Sequence, residues 1–197
     1  MTLILASASR ARQAMLRDAG VDILVDVAAI DEPAVKESLR AEGADAAMVA
    51  ETLAELKAKR VAPRHPGRLV IGADQVLDCE GRLFDKPADP TAARDQLRAL
   101  RGRRHRLLSS AVVLRDGVRL WHHTGEATLT MRDFTEAFLD GYLESVGPQA
   151  CESVGAYQLE GRGAQLFAAI AGDYFTILGL PLLPLLDFLR EQRELPV

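Results

Sequence analysis

Asp74 follows directly on Leu69-Val-Ile-Gly-Ala73, a run that reads as a buried strand because it is apolar and rich in β-branched residues. Gly72 and Ala73 would let another group approach the backbone closely. The chain is then expected to turn through Cys79-Glu-Gly81 and deliver Lys86, with Pro87 stiffening the exit. A carboxylate at the end of a buried strand and an ammonium on the returning loop make half of a site for an anionic substrate. The alternative is a strand, a hairpin and a loop with ordinary surface charges.

Three further places carry chemistry-bearing residues. Leu3-Ile-Leu5 reads as a short strand that enters a helix, Arg10 to Ala19, through the small residues Ala6-Ser-Ala-Ser9. Such a junction suits an anion: the helix start offers free N–H groups, Ser7 and Ser9 add donors, and Arg10 and Arg12 add charge. An N-cap serine followed by exposed arginines explains the same residues. Asp31 and Glu32 lie just past a second strand, Asp22 to Val27, in a segment that Pro33 marks as a solvated turn. Lys57 follows the stripe Val49, Leu53, Leu56 on a helix spanning Ala44 to Val61, so it sits at the edge of a buried face, where a snorkelling lysine would also sit.

The remaining elements must hold these residues in place. Asp89-Pro90 opens a helix whose buried face is Ala93, Leu97 and Leu100 and which Gly102 ends. His105 to Leu114 reads as a strand, Arg115-Asp-Gly-Val118 as a tight hairpin turn, and Val118 to Met131 as its partner. His122 and His123 would point to opposite faces and are no chelating pair. Thr135 to Ser145 is a helix broken by Gly147-Pro148. A glycine-punctuated segment follows from Ser153 to Phe167, and then a terminal helix carries Leu185, Leu186 and Leu189. Strand and helix alternate early and a hairpin intervenes, which predicts an α/β fold with a mixed sheet.

With 197 residues, 48% hydrophobic and 26% charged, the chain reads as one globular domain, 1–197, in which a cleft between two lobes is the most division expected. A net charge of -4 argues against a nucleic-acid polymer as partner but not against a nucleotide, which needs only a local basic pocket. The two cysteines, Cys79 and Cys151, fit free thiols in a reducing cytosol, although one disulfide between them is open. The apolar start is too short for a signal peptide and no stretch is long enough to span a membrane, so the expectation is a cytoplasmic protein without membrane contact.

Taken in order, these pieces resemble the Maf family of nucleoside triphosphate pyrophosphatases. Leu5-Ala-Ser-Ala-Ser9 with Arg12 resembles the family's Ser-x-Ser-Pro-Arg-Arg opening, and Ala73-Asp-Gln-Val76 its Ala-Asp-Thr-Val motif. Asp85-Lys-Pro87 resembles Gly-Lys-Pro, and Leu100-Arg-Gly-Arg-Arg-His105 resembles Leu-Ser-Gly-Arg-x-His. Gly155-Ala-Tyr157, Glu160-Gly161, Gly172-Asp-Tyr174 and Gly179-Leu-Pro-Leu182 match the late segment in order. Each motif is short; their order from about Leu3 to about Leu189 makes the resemblance specific.

The resemblance implies an elongated α/β fold like the inosine triphosphate pyrophosphatases, with two lobes around a central cleft. It also implies hydrolysis of nucleoside triphosphates to monophosphate and pyrophosphate with a divalent cation, Mg²⁺, Mn²⁺ or Co²⁺. Asp74 falls on the catalytic carboxylate, which would activate the attacking water or hold the metal whose bound water attacks, and Glu32 on the family's acidic position, which would share the metal. Lys57 and Lys86 fall on its active-site lysines, and Ser7, Ser9 and Arg12 on the phosphate-binding opening. Departures bear on the base. Ala11 replaces an arginine or tryptophan that separates subfamilies, and Arg10 replaces the motif proline. Gln75 and Glu160 resemble the group that prefers 7-methyl-GTP. A carboxylate at Glu160 suits guanine's N–H donors and the cationic ring of its N7-methyl form. A nucleotide-binding regulator of cell division that does not hydrolyse is the rival reading. Whether the chain works alone or as a homodimer is left open.

Overall fold

The computed structural model describes residues 2–27 and 29–196. In chain order the elements are β1 (Leu3–Leu5), α1 (Arg10–Asp18), β2 (Ile23–Val25), α2 (Glu32–Ala41), α3 (Ala46–Val61), β3 (Leu69–Cys79) and β4 (Arg82–Phe84). There follow α4 (Pro90–Leu100), β5 (Arg104–Arg115), β6 (Val118–Met131), α5 (Glu136–Val146), β7 (Phe167–Gly172), α6 (Tyr174–Ile177) and α7 (Leu182–Glu191). Short 3-10 turns fill the stretch between α5 and β7.

The strands form a mixed sheet of order β2-β1-β3-β5-β6-β7, with β4 beside β3. β1 runs parallel to both β2 and β3, with Leu5 opposite Val25 and Ile71, whereas β4 is antiparallel to β3 and β7 to β6. The β5–β6 turn uses positive φ at Asp116 and Gly117, the twist that a two-residue hairpin needs. This is the α/β mixed-sheet class that the alternation of elements predicts.

The chain divides into two compact units. The first comprises Met1–Gln75, Leu108–Gly125 and Asp173–Val197; the second comprises Val76–Leu107 and Glu126–Gly172. In the first unit, alternation along the strands sends side chains to two faces. One face sends Leu3, Leu5, Leu69, Ile71 and Ala73 against Met15 and Leu16 of α1 and Leu185, Phe188 and Leu189 of α7. The other sends Ile4, Val70 and Val112 against Ala54, Ala58 and Val61 of α3. Burial on both faces is why Leu69–Ile71 reads as an unbroken apolar run.

In the second unit α4 buries Ala93, Leu97 and Leu100, and α5 buries Leu139 and Tyr142. The rings of His105, Tyr157 and Phe167 gather there, Tyr157 meeting Phe167 edge to face at 4.8 Å.

Three expectations need correction. β3 does not end before Asp74 but continues to Cys79, so Asp74 lies inside an 11-residue strand. Asp31-Glu-Pro33 is not a free turn. Asp31 caps α2 by accepting from the Ala34 N–H at 3.1 Å, and Pro33 occupies the first turn, where its missing N–H costs nothing. The buried stripe of α3 is drawn largely by alanines, Ala50, Ala54 and Ala58 beside Val49 and Leu53, while Leu56 is only half-buried.

Candidate active site

The site of the first unit is built by the pleat of β3. Gly72 faces α3 so closely that a Cβ there would stand 2.0 Å from the Ala54 carbonyl oxygen and 2.9 Å from the Ala58 Cβ. The helix therefore lies directly on the strand. Lys57, next to Ala58 on α3, reaches the residue two positions further along the same strand face, which is Asp74. Its Nζ donates to Asp74 Oδ1 at 2.6 Å and pairs with Glu32 Oε1 at 2.8 Å. The side chains of Lys57 and Asp74 are only 12% and 8% exposed, so the pair is largely shielded from water.

Glu32 is the first residue of α2, where a negative charge is favoured by the helix dipole. Burial alone would push its carboxyl up, but the ammonium of Lys57, with help from Lys36 and Arg12, outweighs this and holds it below the usual range. Asp74 Oδ2 is buried and has no hydrogen-bond partner among the described residues. An unpaired carboxylate oxygen in a dry place is costly to leave so, and it is the natural contact point for a proton or a cation.

The β1–α1 junction takes both of the roles considered for it. Ser9 caps α1, its Oγ accepting from the Arg12 N–H at 3.4 Å. Ser7 Oγ accepts from Ser9 N at 3.4 Å and from Arg12 Nη1 at 3.0 Å. Arg12 is not the exposed cation that its position suggests. It is 8% exposed, and its guanidinium also donates from Nη1 to the Ala73 carbonyl at 2.9 Å and from Nε to the Gly179 carbonyl at 2.7 Å. It thereby ties α1 to β3 and to the turn before α7. Burial draws its pKa down, against the opposing charges of Asp74 and Glu32. Gly179 has φ of +105, a conformation that favours glycine, and lies against the guanidinium.

Gln75 points to the opposite face of β3 from Asp74. Its Nε2 donates to Ser109 Oγ at 2.9 Å and to the Thr176 and Ile177 carbonyls at 3.1 and 2.9 Å. The NH₂ end is thus committed and the acceptor, Oε1, is the end left over. Ser109 and the 176–177 carbonyls are partners that motif reading missed. A fully buried serine inside the apolar strand β5 was the available signal.

Lys86 and Glu160 belong to the second unit. Lys86 is exposed between β4 and α4, and Glu160 is exposed in the turn-rich stretch before β7. The structure therefore brings together Asp74, Glu32 and Lys57, with Ser7, Ser9, Arg12 and Gln75 in the same unit. His122 Nδ1 lies 3.3 Å from Glu51 Oε2, and His123 stacks beside Trp121. No helix among the described residues is long and apolar enough to cross a membrane.

The chain is 63% identical over 192 residues to a nucleoside triphosphate pyrophosphatase of Paramagnetospirillum magneticum, covering 98% of this chain and 99% of that one. It is 52% identical over 189 residues to a 7-methyl-GTP pyrophosphatase of Rhizobium etli, covering 96% and 95%. A solved dITP/XTP pyrophosphatase from Mycobacterium abscessus shares 18% identity over 68% of this chain and 76% of that one, with a TM-score of 0.43, too distant to bear on the substrate. The family model described as Maf-like protein matches residues 2–192, nearly the whole chain: the chain belongs to the Maf-like protein family.

Proposed function

We propose that this chain is a nucleoside triphosphate pyrophosphatase, cleaving between the α- and β-phosphates to give a nucleoside monophosphate and pyrophosphate. The observation that carries the reading is the trio Asp74–Lys57–Glu32, with Asp74 Oδ2 buried and unpartnered. The relatives named above, alike over nearly their whole length, support the same reaction.

In this reading a water attacks the α-phosphorus in line with the departing pyrophosphate. The water oxygen forms the new P–O bond, the bond to the β-phosphate oxygen breaks, and the proton passes to the Asp74 carboxylate. Such chemistry is mainly positioning and neutralisation of charge on the phosphoryl oxygens. Lys57 fixes the direction of Asp74 by holding Oδ1. Ser9 and the opening N–H groups of α1 offer donors to a phosphate, and Arg12 keeps that opening in shape from beneath. Lys86 supplies further positive charge to the triphosphate.

The donors Asp74 Oδ2 and Glu32 suit a hard divalent cation such as Mg²⁺ or Mn²⁺. Among the described residues no group of three or more His, Cys, Asp or Glu could hold a metal ion by itself. Two carboxylates that rely on substrate phosphates and water to complete the shell are what Mg²⁺ sites in phosphoryl-transfer enzymes use. When bound, the cation would neutralise phosphate oxygens and lower the pKa of a coordinated water.

For the base, the committed NH₂ of Gln75 supports a role as acceptor through Oε1, and Glu160 is an acceptor too. Two acceptors match a purine that presents N–H donors, guanine or its N7-methylated form, better than thymine. A cytoplasmic setting and a homodimer accord with this reading. A panel of canonical and methylated nucleoside triphosphates with Mg²⁺, Mn²⁺ and Co²⁺, scored for pyrophosphate, tests it. Release of inorganic phosphate alone, or no release, would reject it.

A further inference from the structure

We propose that Lys57 is a resident counter-ion that keeps a divalent cation from settling on Asp74 and Glu32 until a nucleotide arrives to take over its charge. The proposal rests on the pyrophosphatase reading of the site, and it adds an order of events that neither the family nor the fold supplies.

One ammonium serves both carboxylates, at 2.6 Å from Asp74 Oδ1 and 2.8 Å from Glu32 Oε1. A cation bridging the same two groups would come within a few ångströms of that fixed positive charge, and their repulsion is strong where water is scarce. Without a phosphate to draw it, Lys57 stays in place. Its stem leaves α3 at the point where Gly72 seats the helix on β3, and only 12% of its side chain is exposed. The free trio therefore carries a net single negative charge, already partnered, which is a weak lure for a divalent cation.

Asp74 Oδ2 is the second, independent sign that something else is meant to come. Asp74 is 5% exposed, and this oxygen has no hydrogen-bond partner among the described residues. A triphosphate changes the balance by bringing negative charge of its own. Lys57 has a third N–H with no carboxylate to serve, and a phosphate oxygen can take it. The ammonium then shifts its allegiance towards phosphate, and the cation that travels with the nucleotide finds the carboxylates open. Binding of the cation is thus ordered: with the nucleotide, not before it.

The test is titration of the full chain with Mn²⁺ alone, without nucleotide, followed by electron paramagnetic resonance. The wild-type protein should hold Mn²⁺ no more tightly than the millimolar range. Lys57→Met should bind one Mn²⁺ at least about tenfold more tightly, a gain that Asp74→Asn added to it removes. Lys57→Arg, which keeps the charge, should stay at the wild-type level. Micromolar binding of Mn²⁺ by the wild-type chain alone would overturn the proposal, as would Lys57→Met binding no more tightly than wild type or Lys57→Arg binding as Lys57→Met does. The wild-type titration needs no variant, so tight binding there would overturn the proposal even if Lys57→Met fails to fold. Pyrophosphate release by wild type with Mg²⁺ is scored separately, so a failed ordering is told apart from a failed reading of the reaction.

Discussion

Gly72 and Asp74 stand two residues apart on β3 and therefore face the same side of the sheet, where the first admits α3 and the second meets that helix's Lys57. The packing of the first unit and the geometry of its carboxylates are thus one arrangement. Seating of the helix on the strand sets where the ammonium stands.

Replacing Gly72 by alanine should disturb both at once. The added Cβ meets backbone, the Ala54 carbonyl oxygen, which cannot swing aside as a side-chain tip could. Overpacking of this kind costs about 1–3 kcal/mol, and the displaced helix carries Lys57 away from Asp74. Thermal unfolding should show the lowered stability, and turnover should fall further than the stability loss alone explains. An unchanged melting temperature would mean that α3 does not rest on Gly72.

His105 gives the second unit a pH dependence that can be signed in advance. It is 1% exposed, its Nε2 lies 2.8 Å from Tyr157 Oη, and its Nδ1 has no hydrogen-bond partner among the described residues. Burial pushes its pKa down from 6.5 to about 4. The folded state thus favours the neutral ring, and its contribution is complete above about 6.5, where the unfolded chain is also neutral. As pH falls from there to about 4 the unfolded state binds the proton first, and stability drops by about 3 kcal/mol. Denaturant melts across that window should show the slope, and His105→Phe should flatten it. A wild-type slope no steeper than the variant's would remove His105 as its source.

Gln75 makes a sharper test of polar satisfaction. Its NH₂ serves Ser109 and two carbonyls of α6. Gln75→Leu takes a donor from Ser109 Oγ and the Ile177 carbonyl in a largely buried place, while the Thr176 carbonyl keeps Ser109 Oγ at 2.7 Å and the Gly179 N–H at 3.1 Å; the loss is about 1–3 kcal/mol. Unfolding curves would register it; a neutral substitution would show that α6 needs no tie to β3.

Base preference should follow the two acceptors, Gln75 Oε1 and Glu160. Turnover of 7-methyl-GTP or GTP is expected to exceed that of thymidine triphosphate, and Glu160→Gln should narrow the gap by weakening attraction to a cationic or donor-rich edge. Faster thymidine triphosphate hydrolysis in a side-by-side kcat/KM comparison would remove this assignment.

The local signals in the sequence carry a good part of this fold. The caps Ser9 and Asp89, the apolar run Leu69–Ile71 and the Asp116-Gly117 turn are each read from a few neighbouring residues, and each stands where expected. The failures share a cause. α2 has no buried residue, so it leaves no apolar stripe, and its one local sign, the Asp31 cap, looks like a turn. β3 reads as ending early because Asp74, Gln75 and Asp78 interrupt its apolar pattern. Their partners come from far along the chain: Lys57, the 176–177 turn, and for Asp78 the guanidinium of Arg106. Arg12 has the same history, since three distant or buried acceptors turn an apparent surface cation into an internal tie. The motifs located the residues around Asp74; only the fold could say which of them face each other.

The most direct measurement of the central claim is product analysis with Mg²⁺ and a preferred nucleoside triphosphate, comparing wild type with Asp74→Asn. The account predicts one pyrophosphate per monophosphate from the wild type. In the variant it predicts a loss of about 10²–10⁴-fold in kcat with nucleotide affinity largely kept, the usual cost of removing one acid–base group. Near-normal turnover by Asp74→Asn, or phosphate in place of pyrophosphate from the wild type, would contradict it.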